Sequence, residues 1–192
     1  MIVSDSHRFV FAHVPKTGGI SVRAALEDFA DGQAAARRDT THETLPDLML
    51  REPRLASYFK FAFVRNPWDR MVSFHAYARS SLKPTLPEMQ CTDFGQMLRL
   101  LDQSAVWLER LYVMQPQCGF VRGADFVGRF ETLESDFLRV CASLNIRPAL
   151  SRKNSSDHGA YGAYYDAWGR DFVARRYAQD IEEFGYAFEA TS

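Results

Sequence analysis

The chain has 192 residues, which is long enough for one domain with a buried core. Hydrophobic residues make up 46% of it, charged residues make up 24%, and the formal net charge is −1. The net charge is therefore too small to attract the chain to nucleic acid or to an anionic membrane, so any anion-binding site must arise from a local cluster of positive groups.

The first predicted elements are a strand and a helix joined by a glycine-containing turn. The apolar run RFVFAHV (8–14) ends at Pro15 and predicts a buried strand. GISVRAALEDFA (19–30) has apolar residues at helical spacing. A turn of this kind directs backbone N–H groups at an anion, and the helix dipole adds to the attraction.

The side chains of this turn suit a phosphate compound. Lys16 offers a mobile positive charge, and the hydroxyls of Thr17 and Ser21 offer donors. Gly18 and Gly19 allow the backbone to approach a ligand closely. The order of residues is not G-x-x-x-x-G-K-[ST], which argues against an ATPase or GTPase.

A second strand and helix follow after a polar linker and a short helical piece, TLPDLMLRE (44–52). FKFAFV (59–64) predicts a strand, and Asn66 and Pro67 predict the N-cap and first residue of the next helix. ADFVGRFE (124–131) predicts a further strand. TLESDFLRVCASLN (132–145) predicts a helix ended by Pro148, and 169–188 predicts a closing helix. The alternation predicts a P-loop-like three-layer α/β/α fold with a central, mostly parallel sheet.

Arg65 leaves the second strand at the sheet edge where the first loop also lies. Ligands bind at this edge in open α/β sheets. Arg65 can bind a phosphate with two hydrogen bonds, and Ser73 on the following helix can donate its hydroxyl to the phosphate. Two anion-binding groups, the loop of Lys16 and the strand exit at Arg65, suit a nucleotide that carries phosphate at both its 5′ and 3′ positions.

PKTGGIS (15–21) and FAFVRNPWDRMVSFH (61–75) resemble the sulfotransferases, specifically the branch related to carbohydrate sulfotransferases. The first segment is similar to the 5′-phosphosulfate loop of that family, and the second is similar to its 3′-phosphate motif. VMQPQCGF, VGRFETLESDF, RKNSSDHGAYGAYY and YAQDIEEFGYAF follow in the family's order. The resemblance therefore covers most of the chain, residues 8–188.

The resemblance implies that 3′-phosphoadenosine 5′-phosphosulfate (PAPS) is the donor and adenosine 3′,5′-bisphosphate (PAP) the product. It assigns Arg65 and Ser73 to the 3′-phosphate, and it places Lys153 and Asn154 in a loop that closes over the nucleotide. Many members have threonine where this chain has Ile20, which keeps only the backbone N–H contact. The residues that the resemblance assigns to the 5′-phosphosulfate are Lys16, Thr17, Gly18, Gly19, Ile20 and Ser21.

Sulfuryl transfer resembles phosphoryl transfer, in which positioning and charge stabilisation dominate. We expect Lys16 to stabilise the leaving phosphate, and we expect no metal requirement because the sulfuryl group carries less negative charge than a phosphate. His42 is the candidate base that accepts the acceptor's proton, and Glu43 is the alternative. The resemblance implies a hydroxyl-bearing acceptor, such as a sugar or glycan, whose identity the loops do not encode.

Two other functions remain open at this point. One is a noncatalytic module that binds PAP. Such a module would keep both anion-binding groups and need no base. The other is a P-loop kinase or nucleotide hydrolase, which the residue order of the loop disfavours.

Cysteine usage and hydropathy bear on location. The three cysteines, Cys91, Cys118 and Cys141, are odd in number and lack metal-ligand spacing. The first residues lack a charged region followed by a long apolar run, and no apolar run approaches membrane-spanning length. We therefore expect one cytoplasmic domain over 1–192 without metal or membrane partner, in an oligomeric state that the sequence does not encode.

Overall fold

The computed structural model describes residues 1–30, 42–80, 93–103, 111–150 and 159–189. Tertiary contacts divide the chain into two compact units. The first comprises Met1–Arg65 and Gln117–Asn154, and the second comprises Asn66–Pro116 and Ser155–Ser192. The expectation of one domain over 1–192 stays a prediction.

The secondary structure alternates strands with helices along much of the described chain. The strands are β1 Ile2–Ser4, β2 Phe9–Ala12, β3 Phe59–Val64 and β4 Phe126–Arg129. The α-helices of the described residues are α1 Gly19–Leu26, α2 Leu45–Arg51, α3 Pro67–Ser80, α4 Phe94–Gln103, α5 Gln117–Val121, α6 Leu133–Leu144, α7 Ala167–Arg176 and α8 Ala178–Phe184. Single 3-10 turns cover Glu27–Phe29, Pro53–Ser57, Tyr112–Met114, Phe130–Thr132 and Tyr161–Tyr164.

The first unit is built on a four-stranded sheet in the order β1-β2-β3-β4. β2, β3 and β4 are parallel to one another, and β1 pairs with β2 in the antiparallel direction. A mostly parallel sheet flanked by helices confirms the predicted α/β fold class. The antiparallel strand β1 was not predicted, because three residues are too few to display a period.

The register brings the carboxyl ends of the three parallel strands to one edge. Ala12 pairs with Ala62, and Val64 pairs with Arg129. The residues that follow these strands therefore begin at the same edge: the loop 13–18 after β2, Arg65 after β3 and Phe130 after β4.

Phenylalanines hold this sheet to its helices. Phe11 and Phe61 stack with ring centroids 5.3 Å apart, and Phe63 contacts Phe137 of α6 at 6.5 Å. All four rings are almost fully buried, as is Val22 of α1. Burial of these apolar side chains fixes α1 and α6 on the sheet. The loop between β2 and α1 is therefore held at both of its ends.

The second unit opens with α3, whose predicted cap is confirmed. Asn66 Oδ1 accepts a hydrogen bond from the Trp68 amide over 3.1 Å. The predicted closing helix 169–188 is instead two helices, α7 and α8, because Tyr177 between them leaves the helical conformation (φ −117°, ψ 30°). The buried Tyr177 hydroxyl donates to the Met114 carbonyl over 3.2 Å, which ties this break to the core of the unit.

Two further observations concern helix ends and helix length. α6 ends at Leu144, within one residue of the end of the predicted segment 132–145, because Asn145 adopts a left-handed conformation (φ 52°) that stops the helix before Pro148 is reached. Within the described ranges, no helix combines the length and the apolar character needed to cross a membrane.

Candidate functional site

The loop between β2 and α1 leaves the positive end of α1 open to an anion. Lys16 and Gly18 have left-handed backbones (φ 68° and 77°), which turn the chain sharply into the helix. Gly18 at the N-cap position supplies no side-chain hydrogen bond, and the first turn of α1 contains no acidic residue. The first amides and the dipole of the helix therefore act on whatever occupies this edge.

The two glycines of the loop are also required by packing. A Cβ on Gly18 would come within 2.8 Å of Leu133 Cδ2, and its backbone is left-handed. A Cβ on Gly19 would overlap the imidazole ring of His13. Both positions therefore exclude a side chain for reasons within the fold, in addition to the close approach of a ligand that the sequence predicted.

The hydroxyl-bearing residues of the loop differ from the apolar one in exposure. Thr17 is buried and its hydroxyl donates to the Val14 carbonyl over 3.0 Å. Ser21 is also buried, in the first turn of α1. Ile20 is 49% exposed. Thr17 is thus held inside the turn by its own hydroxyl, and Ile20 presents an apolar surface beside the first amides of the helix.

Lys16 lies in an environment that disfavours its charge. Burial, and secondarily the nearby positive charge of Arg65, lower the pKa of the Lys16 ammonium from its ordinary value of 10.5 to about 8. Two cations held close together, one of them desolvated, form an environment in which an anionic ligand is strongly favoured.

Arg65 is brought to this loop from the end of β3. Its Nη1 donates to the Lys16 carbonyl over 3.3 Å, and its guanidinium lies 4.0 Å from the centroid of the Phe130 ring. Arg65 is 4% exposed. The structure therefore brings together Lys16 and Arg65, the cations of the two predicted anion-binding groups.

Two histidines lie beside the loop. Burial, and secondarily the neighbouring His42, hold the pKa of His13 well below its ordinary value of 6.5, so its ring is neutral at pH 7. The His13 and His42 ring centroids are 4.9 Å apart, and His42 Nδ1 lies 3.2 Å from the His13 carbonyl oxygen. A carbonyl only accepts, so Nδ1 of His42 carries a proton, and in the neutral ring Nε2 is the nitrogen that can accept one.

Glu43, the alternative base, is engaged elsewhere. Its Oε1 forms an ion pair with Arg51 over 2.7 Å. Its Oε2 is buried without a hydrogen bond among the described residues. Protonation of the Glu43 carboxylate by a substrate would weaken the Arg51 ion pair. The choice between His42 and Glu43 as the base stays a prediction.

The remaining predicted residues of the nucleotide site are Ser73, Lys153 and Asn154. Ser73 lies on α3 of the second unit and is 3% exposed. Lys153 and Asn154 lie outside the described residues. Their assignments to the nucleotide stay predictions. Among the described residues, no group of three or more His, Cys, Asp or Glu side chains is arranged to hold a metal ion.

Comparison with known proteins decides the family. The model of the sulfotransferase family (Sulfotransfer_2) matches residues 1–187. The chain belongs to the sulfotransferase family. This membership confirms the resemblance carried by PKTGGIS and by the motif after β3.

Curated relatives of this sulfotransferase-family chain include carbohydrate sulfotransferase 14 from Mus musculus and from Homo sapiens. Each is 28% identical over an alignment of 169 positions, and the match covers 71% of this chain and 44% of the relative. The chain thus spans less than half the length of the curated relatives it matches.

A solved structure supports the fold. The crystal structure of mouse sulfotransferase SULT7A1 complexed with PAP matches with a TM-score of 0.60 and 14% identity. The match covers 93% of this chain and 86% of that chain. At this identity the likeness establishes a sulfotransferase-like fold.

Sequence reasoning missed two residues of the cluster, Gln117 and Phe130. Gln117 makes two hydrogen bonds to the Arg65 backbone, and Phe130 stacks under its guanidinium. Phe130 follows β4, so the rule that parallel strands end at one edge could have located it. Gln117 lies in VMQPQCGF, a segment of the family resemblance, but no pattern assigned it a contact with Arg65, 52 positions away.

Proposed function

We propose that the chain transfers the sulfuryl group of PAPS to a hydroxyl acceptor. The observation that carries this proposal is the contact of Arg65 with Lys16, which joins the cation after β3 to the loop before α1. Family membership supports it, and so does the likeness to SULT7A1, which was crystallised with PAP. A nucleotide with phosphate at both its 5′ and 3′ positions suits a site to which two segments contribute a cation, Lys16 from the loop after β2 and Arg65 from the end of β3.

For the donor, we propose that the 5′-phosphosulfate lies against the loop and the first turn of α1. The Thr17 hydroxyl already donates within the turn, so its backbone amide is the group offered to the ligand, together with those of Gly18, Gly19 and Ile20. Ser21 adds its hydroxyl. Arg65 binds the 3′-phosphate, and the assignment of Ser73 to the same phosphate rests on the family resemblance.

The reaction is an in-line displacement at sulfur. The acceptor oxygen forms a bond to sulfur while the bond from sulfur to the bridging phosphate oxygen breaks, which yields a sulfate ester and PAP. His42 accepts the acceptor's proton at Nε2, since Nδ1 faces the His13 carbonyl. Lys16 stabilises the charge that develops on the bridging oxygen.

The acceptor is proposed at the level of chemical class. The relatives named carbohydrate sulfotransferase 14 support a carbohydrate hydroxyl, as the sequence resemblance also implies. A screen that offers PAPS with oligosaccharides, phenols and sterols, read by mass spectrometry, tests this part. Sulfated oligosaccharide is the expected product, and sulfation of the other classes alone would contradict it. A cytoplasmic location remains part of the proposal.

Thermal unfolding tests the nucleotide part, with PAP and ADP offered without metal and ATP offered with Mg²⁺. We expect PAP to raise the unfolding temperature while ADP at the same concentration does not, because ADP lacks the 3′-phosphate. Stabilisation by Mg²⁺-ATP alone would point to a kinase or nucleotide hydrolase and overturn the proposal. PAP binding without sulfation of any acceptor would point to a noncatalytic PAP-binding module.

A further inference from the structure

The side chain of Gln117 is hydrogen-bonded to both backbone groups of Arg65. Gln117 Oε1 accepts from the Arg65 amide over 2.9 Å, and Gln117 Nε2 donates to the Arg65 carbonyl over 2.8 Å. Gln117 is fully buried, at the first position of α5. An amide oxygen must face the N–H and an amide nitrogen must face the carbonyl, so the orientation of this side chain is determined.

This pair of hydrogen bonds replaces a strand partner. The register between β3 and β4 ends with Val64 opposite Arg129, one residue before Arg65. Backbone groups left buried beyond a sheet ladder are costly unless another group satisfies them. The Gln117 side chain therefore extends the fixed backbone of β3 by one residue, up to the arginine of the candidate site.

The far end of the Arg65 side chain is also fixed. Its guanidinium lies over the Phe130 ring at 4.0 Å, and its Nη1 donates to the Lys16 carbonyl at 3.3 Å. A Cβ on Gly18 would meet the same Phe130 ring at 3.2 Å, so one ring supports both the loop and the arginine. Arg65 is thus held at its backbone and at its tip before any ligand arrives.

We propose that Gln117 is a positioning residue that gives the site its selectivity for a nucleotide with a 3′-phosphate. The inference rests on the proposed function, in which Arg65 binds that phosphate. If Gln117 holds the Arg65 backbone, a ligand does not have to order it on binding, and the benefit reaches only ligands that contact Arg65. A purely structural role for Gln117 would change stability without changing the selectivity.

The test is calorimetric titration of the full chain with PAP and with adenosine 5′-phosphate, which differ only in the 3′-phosphate. Wild type should bind PAP more tightly. Gln117→Met keeps the length of the side chain and removes both hydrogen bonds. It should weaken PAP binding by about tenfold, a cost typical of ordering one long side chain, and leave adenosine 5′-phosphate binding unchanged.

Phe120→Leu is the matched control, because Phe120 is buried in the same helix and its side chain has no hydrogen-bonding group. It should lower the unfolding temperature and keep the ratio of the two affinities. If Gln117→Met does not fold, Gln117→Glu replaces it, since it keeps the acceptor for the Arg65 amide and loses the donor for the carbonyl.

The outcomes separate the two proposals. A folded Gln117 variant that keeps the wild-type ratio, or that loses affinity for both nucleotides equally, would overturn the positioning role alone. Equal affinity of wild type for the two nucleotides would overturn the proposed function and this inference with it. A reduced ratio in the Gln117 variant and an unchanged ratio in Phe120→Leu support the inference.

Discussion

Arg65 Nη1 donates a hydrogen bond to the carbonyl oxygen of Lys16 over 3.3 Å. The donor comes from the end of β3 and the acceptor from the loop after β2, and parallel pairing of these strands makes the contact possible. The two cations are close enough for Arg65 to lower the pKa of Lys16, an effect secondary to that of burial. The cost of holding two positive charges together is relieved when an anion binds.

PAP binding should depend on pH through Lys16. Its pKa of about 8 means that the ammonium is charged below pH 8 and loses its proton as the pH rises above it. An anionic ligand favours the charged form, so PAP affinity should fall between about pH 8 and 10, and binding near pH 8 should take up a proton. Calorimetry at one pH in buffers with different ionisation enthalpies measures that uptake directly.

Lys16→Arg is the matched control for this pH dependence, because its guanidinium stays charged over the same range. Its PAP affinity should be flat where that of wild type falls. A pH dependence that is the same in wild type and Lys16→Arg would mean that another group is responsible.

The roles of Lys16 and Arg65 should separate in kinetics. Lys16→Met removes the charge beside the leaving phosphate, and we expect kcat to fall by about 100-fold or more. Arg65→Ala should mainly raise the KM for PAPS. Steady-state rates at saturating acceptor give both constants, and unchanged donor affinity in Arg65→Ala would refute its assignment to the 3′-phosphate.

His42→Gln should lower kcat by about 100-fold with little change in PAP affinity, because it removes the base and keeps a polar side chain of similar size. Glu43→Gln should change kcat much less, since the Glu43 carboxylate is paired with Arg51. Equal losses of kcat in the two variants, or a larger loss in Glu43→Gln, would contradict the assignment of the base.

The packing of Gly19 on His13 predicts that Gly19→Ala no longer destabilises the fold once the His13 ring is removed. Gly19→Ala should destabilise the fold by about 1–3 kcal/mol, because its Cβ would overlap the His13 ring. In a His13→Ala background the same change should be neutral or stabilising, since the obstructing ring is gone and alanine favours helix. Urea unfolding of wild type, Gly19→Ala, His13→Ala and the double mutant gives their free energies of unfolding.

Gly18→Ala is the comparison for that cycle. Its left-handed backbone (φ 77°) remains unfavourable for alanine whether or not the His13 ring is present. It should therefore stay destabilising in the His13→Ala background. If Gly19→Ala is equally harmful in both backgrounds, the contact with His13 does not explain the glycine.

Local patterns predicted the elements that carry the site. The apolar run 59–64 is the observed strand β3, and Asn66 caps α3 as its position before proline indicated. The expected parallel pairing correctly placed the loop of Lys16 and the exit of Arg65 at one sheet edge. Hydrophobic period and capping chemistry act over a few residues, so they can be read from sequence.

The contacts that complete the cluster could not be predicted in this way. The hydrogen bonds from Gln117 to Arg65 join residues 52 positions apart, and the ring of Phe130 reaches Arg65 only because β4 pairs with β3. No local pattern revealed that the ring of His13 fills the space that a side chain on Gly19 would need. The residue at the helix break, Tyr177, donates its buried hydroxyl to the Met114 carbonyl, a distant contact that no helical period reveals.

The most direct test of the proposed reaction follows the sulfuryl group itself. PAPS labelled with radioactive sulfur is incubated with the full chain and a mixture of carbohydrate acceptors, and label in the acceptor is compared with PAP released. We predict equal amounts of both, with Lys16→Met slower by about 100-fold. Tight PAPS binding without label in any acceptor, or PAP release accompanied only by free sulfate, would contradict transfer to a hydroxyl acceptor.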